Sequence, residues 1–73
     1  MSEYMIIIET GEDGGFGAYA PDLPGVVAVA DTYDECVSLM REAVEFHLEG
    51  MRMHGEEIPV PSIVGAEKVI TAA

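Results

Sequence analysis

Asp13-Gly14-Gly15-Phe16-Gly17-Ala18-Tyr19-Ala20-Pro21-Asp22-Leu23-Pro24-Gly25 decides the fold, because it combines a hairpin turn, a short strand of small residues and a bend punctuated by two prolines. Gly14 and Gly15 accept positive φ without steric penalty and so close a tight turn between two apolar runs. Pro21 and Pro24 end the strand that follows, since proline has no ladder donor and restricts the residue before it. Working outward, residues 3–9 are rich in β-branched and aromatic side chains and read as the first strand. Tyr4, Ile6 and Ile8 fall on one of its sides and Met5 and Ile7 on the other. That two-sided pattern is expected of a strand buried centrally or covered on its second face by a partner. Residues 16–20 pair back as the second strand, and because Gly17, Ala18 and Ala20 fill little space, something must pack closely over them. Residues 26–30 form a third apolar strand, and short turns make the three an antiparallel meander.

Thr32 and Glu35 then form a Thr-x-x-Glu capping box, which starts a helix near Tyr33, with Asp34 and Glu35 suited to the positive end of its dipole. Gly55 supplies the stop. On a helical wheel Val37, Met40, Val44, Leu48 and Met51 make the expected core stripe, while Leu39, Phe46 and Met53 recur at heptad spacing on a second one. The apolar arc covers roughly 220°, about twice what one sheet face covers. Leu39, Phe46 and Met53 are therefore expected to meet a second protein surface, most simply a copy of this chain. Residues 56–65, with Pro59 and Pro61, read as an extended connector and residues 68–71 as a short final strand. The expected class is α+β in the order β-β-β-α-β, a single domain over residues 1–73.

Fourteen acids against Arg41, Arg52 and Lys68 give a formal charge of -11, which repels phosphate backbones, attracts cationic proteins and argues against direct nucleic-acid binding. One cysteine and two histidines provide neither a disulfide framework nor a structural zinc pattern. The run 5–8 is too short to span a bilayer and no secretory leader is recognisable, so the expected compartment is the cytoplasm. Carboxylates are abundant but sit on turns and on the solvated face of the helix, where solvation explains them better than acid catalysis or metal binding. Cys36 reads as a small core residue, His47 as a partly buried residue at a packing seam, and His54 as a partner of the last helix carbonyls. The run 11–17 lacks the lysine of a phosphate loop and joins two strands instead of opening a helix. No catalytic, cofactor or metal residue is assigned.

Asp13-Gly14-Gly15, Ala18-Tyr19, Pro21-Asp22-Leu23-Pro24-Gly25-Val26, Ala30-Asp31-Thr32-x-x-Glu35 and the later Ile58-Pro59-x-Pro61-Ser62 together resemble the HicB-type antitoxin family over nearly the whole chain. The resemblance implies a partly degenerate ribonuclease-H-like domain without that fold's catalytic acids. It also implies a job, the occlusion of a small basic HicA-like toxin that cleaves messenger RNA. Fuller family members carry a C-terminal DNA-binding segment, which this sequence, ending at Ala73, is not expected to supply. Glu12, Asp13 and Asp22, on the hairpin and the bend, are the candidate partner contacts, and self-association to a dimer or tetramer through Leu39, Phe46 and Met53 completes the expectation. An orphan oligomeric binding or scaffold domain with no toxin is the alternative. A residual nuclease using Glu9 and Asp22 is a third.

Overall fold

The meander and the helix form where the turn chemistry places them. The computed structural model describes residues 2–72, with strands β1 (Ile7–Thr10), β2 (Phe16–Tyr19) and β3 (Val27–Ala30) followed by helix α1 (Tyr33–Met53). The sheet order is β1-β2-β3, with both pairs antiparallel and Ile8, Ala18 and Ala28 aligned across it. The hairpin between β1 and β2 closes through Gly11 N–H to the Gly15 carbonyl at 2.8 Å and Gly15 N–H to Asp13 Oδ1 at 3.1 Å. Of the two turn glycines only Gly14, at φ 86°, uses the left-handed region. Gly15 is required instead for closeness, since a Cβ there would stand 3.2 Å from the Ala30 carbonyl oxygen.

The bend carries its own hydrogen bonds, Leu23 N–H to the Ala20 carbonyl at 3.0 Å and Val26 N–H to the Leu23 carbonyl at 3.2 Å. These two turns swing Leu23 and Val26 beneath α1, where with Ala18, Ala20, Cys36 and Met40 they form the buried core. The small strand residues let the helix approach, as their size requires. Tyr4, Ile6, Ile8, Phe16, Ala43, Val44 and Leu48 pack around that nucleus. Within α1 the centre of the buried stripe is Cys36 and Met40, while Val37, Val44, Leu48 and Met51 are half-buried. At the helix start Thr32 Oγ1 accepts the Glu35 N–H at 3.2 Å, the Thr32 half of the capping box. At its end Glu56 N–H reaches the Met51 carbonyl at 2.9 Å and Gly55 N–H the Arg52 carbonyl at 3.2 Å, with Gly55 at φ 68°.

Three expectations need correction. The first strand pairs only from Ile7, opposite Tyr19, because one step further Ile6 and Met5 would face Ala20 and Pro21, where the bend begins and proline offers no N–H. That strand is also an edge and not the centre of the sheet, so central burial does not account for its two-sided apolar pattern. Finally, among the described residues no strand follows α1: residues 68–71 pair with nothing, and Val69 and Ile70 are 82% and 99% exposed. The connector is tied to the bend through Ser62 and Asp22 and to the start of the chain through Pro59 and Tyr4.

Candidate partner interface

The register determines which surface residues share a location. Thr10, Phe16 and Ala30 align across the sheet, so the hairpin 11–15 and the stretch 31–35 leave it at the same end. Glu12, Asp13, Asp31, Asp34 and Glu35 are all exposed there, beside Tyr33, whose ring meets Phe16 edge-to-face at 6.1 Å between centroids. None of the three cationic side chains belongs to these segments. Opposite charges are therefore absent from the local sequence, and the field at this end is negative. Glu12 and Asp13 were singled out from the sequence; Asp31, Asp34 and Glu35 were not. The missing signal was available, because an antiparallel meander must return its third strand to the level of its first turn.

Asp22 does not join this group. It lies beyond the opposite end of β2, four strand residues away, or about 13 Å. Both of its carboxylate oxygens are engaged within the chain: Oδ1 accepts the Ser62 hydroxyl at 2.6 Å, and Oδ2 accepts the Ser62 N–H at 2.9 Å and the Ile63 N–H at 3.2 Å. The Ser62 hydroxyl first, then the Ser62 N–H, holds this carboxyl below its ordinary pKa against the opposing effect of desolvation, with the Ile63 N–H adding to the lowering. A second tie joins the same segment to the start of the chain, where the Tyr4 hydroxyl donates to the Pro59 carbonyl.

Leu39, Phe46 and Met53 do form one outward strip on α1, 39%, 81% and 78% exposed. The sheet has an equivalent strip on the face away from the helix, where Ile7, Tyr19 and Val27 align in one row and Val29 stands in the next. Reading residues 26–30 as one continuous apolar run hid this, because Ala28 and Ala30 turn inward while Val27 and Val29 turn out. His47 is half-buried, and the His54 ring nitrogen Nδ1 lies 2.7 Å from the Gly50 carbonyl oxygen at the helix end. Cys36 is fully buried, its Sγ 4.0 Å from the Ala28 carbonyl oxygen. Among the described residues no three His, Cys, Asp or Glu side chains gather as a metal site, and no helix is long and apolar enough to cross a membrane.

One antiparallel sheet under one helix, with apolar strips on both outer surfaces and an acidic end, defines a small α+β domain whose exposed features suit protein contact. The chain belongs to the HicB-like antitoxins of bacterial toxin–antitoxin systems, whose family model matches residues 4–70. It is 41% identical over 56 residues to a 14.9 kDa protein from the rep–hol intergenic region of Haemophilus phage HP1, a match covering 77% of this chain and 41% of that protein. Antitoxin HicB 1 of Photorhabdus laumondii is 30% identical over 66 residues, covering 90% of this chain and 43% of its own length. The chain thus spans less than half the length of these two relatives. The crystal structure of the N-terminal domain of the Burkholderia pseudomallei antitoxin HicB superposes with a TM-score of 0.73 at 29% identity, covering 80% of this chain and 69% of that one.

Proposed function

We propose that this domain neutralises a small basic RNA-cleaving toxin of the HicA type by covering the surface with which that toxin holds RNA. The observation that supports this reading most directly is the collection of Glu12, Asp13, Asp31, Asp34 and Glu35 at one end of a domain of antitoxin lineage. A surface built to bind phosphates is cationic, and carboxylates on a fixed frame compete for it and speed encounter. The domain acts in the cytoplasm, as one folded unit, by occlusion and without chemistry of its own. The exposed strip of Leu39, Phe46 and Met53 offers a further surface for protein contact on the same domain. Asp22, with both oxygens already used, contributes by shaping the chain and not by direct contact with the toxin.

The test is co-expression with the short Lys/Arg-rich protein encoded next to it. The toxin is expected to be captured and its RNA cleavage silenced. The quadruple variant E12Q/D13N/D31N/D34N is expected to weaken capture at least tenfold at low salt and much less at high salt, because screening removes the same term. Undiminished capture by that variant, or no capture at low salt, defeats the proposal.

A further inference from the structure

The segment after Ile63 is extended, apolar in part and held away from the domain. Residues 64–72 are all exposed, with Val64, Val69 and Ile70 at 101%, 82% and 99%. The radius of gyration is 14.0 Å, with a longest extent of 47 Å. A compact chain of this length has about 11 Å. Within the segment Glu67 and Lys68 cancel, so the formal charge of -11 sits entirely on the remaining residues. Two whole domains meeting face to face would bring those charges together. The segment would not.

The sheet offers a matching vacancy at its edge. Among the described residues β1 has no neighbour on its outer side, and just before it a groove of about 410 Å³ between residues 2–6 and α1 is lined by Tyr4, Ile6, Val37, Val44 and Leu48 together with the polar Ser2, Arg41 and Glu45. β1 is apolar on both faces, and so is the pair Val69-Ile70. We propose that residues 67–71 of one copy add as an antiparallel strand to the β1 edge of a second copy, with Ile70 opposite Ile7, Val69 opposite Ile8 and Lys68 opposite Glu9. In this register Val69 turns toward the helix side and Ile70 toward the outer sheet face, beside the strip of Ile7, Tyr19 and Val27. Lys68 meets a carboxylate across the ladder.

Ser62 is tied to Asp22 at the bend, and beyond it residues 64–72 run exposed and pair with no strand of their own chain. Offered to a second copy, the segment meets an unpaired edge, and reciprocal exchange closes a twofold dimer.

The test measures mass and proximity on the full chain, independently of any toxin. Light scattering is expected to give twice 7.8 kDa at high micromolar concentration. V69D/I70D, at positions 82% and 99% exposed in the single chain, is expected to give the monomer mass with unchanged circular dichroism. K68E is expected to raise the dimer dissociation constant several-fold, and the added E9K to restore it. A spin label on Ala72→Cys, with Cys36 fully buried, is expected to broaden the amides of residues 6–10 in an isotope-labelled, unspun-labelled copy mixed with it. A wild-type monomer, a dimer untouched by V69D/I70D, or no broadening of residues 6–10 in the isotope-labelled copy overturns the proposal. A dimer lost on Phe46→Asp but kept in V69D/I70D would assign association to the helix strip alone and also overturn it.

Discussion

Two proline-spaced segments of similar composition behave in opposite ways. Pro21-Asp22-Leu23-Pro24-Gly25-Val26 buries Leu23 to 1% and Val26 to 4% exposure, whereas Pro59-Val60-Pro61-Ser62-Ile63 leaves Val60 84% and Ile63 37% exposed. Hydropathy does not separate them. Hydrogen bonding does: the bend closes two turns with its own backbone groups, while the connector is held through a carboxylate and a hydroxyl belonging to other segments. A segment that satisfies its own polar groups can be driven into the core, because burial then leaves no orphaned donor. One that relies on Asp22 and Tyr4 stays at the surface where those groups are.

The comparison breaks first if matched truncations fail to differ. Leu23→Ala removes a fully buried side chain from a small core and is expected to cost about 2–5 kcal/mol. For a domain of this size that is a large part of the total stability. Val60→Ala, at a surface position in the other segment, is expected to stay within about 0.5 kcal/mol. Urea denaturation of both, at the same protein concentration, checks the pair. A similar cost for each would mean that the connector is as much a part of the folding unit as the bend.

A smaller effect separates backbone shape from packing within the bend. Gly25 sits at φ 88° with nothing within 4 Å of the place a Cβ would take. Gly25→Ala therefore meets strain alone, expected at about 1–2 kcal/mol from forcing an L-residue into the left-handed region. Denaturation midpoints measure the loss, and an unchanged urea m-value would show that the folded state keeps its extent. No loss at all would mean the bend can relax to negative φ without disturbing Leu23 or Val26.

What was legible in the chain follows the same division. The hairpin, the bend and the cap at Thr32 are written in local chemistry, so the element order and the helix limits could be read directly from Gly14, Pro21, Pro24, Thr32 and Gly55. The final strand at 68–71 was misread because Val69 and Ile70 have strand propensity, and propensity does not say whether an edge lies alongside. The acidic end was half legible. Glu12 and Asp13 are neighbours in sequence, but Asp31, Asp34 and Glu35 join them only through the cross-strand register. Asp22 was picked for its charge and placement, and its occupation by Ser62 and Ile63, forty residues away, is a tertiary fact with no local signature.

Asp22 also supplies the gentlest way to test whether the two segments are coupled. Its carboxyl is held below the ordinary value of 3.8, chiefly by the Ser62 hydroxyl. A depressed folded-state pKa means that the tie is fully present above the ordinary carboxylate range and is lost as pH falls through the lower folded value. The connector is therefore expected to stay docked at neutral and mildly acidic pH and to come loose only below about 3.8, seen as a titration of the Ser62 and Ile63 amide resonances. Asp22→Ala should reproduce the loosened state at neutral pH, because it removes both oxygens that accept the Ser62 hydroxyl and the two backbone N–H groups. Faster hydrogen exchange at Ser62 and Ile63, with Leu23 and Val26 unaffected, would show that the bend holds the connector without depending on it. Loss of protection at Leu23 as well would show the dependence running both ways, and the two segments would then be one cooperative unit.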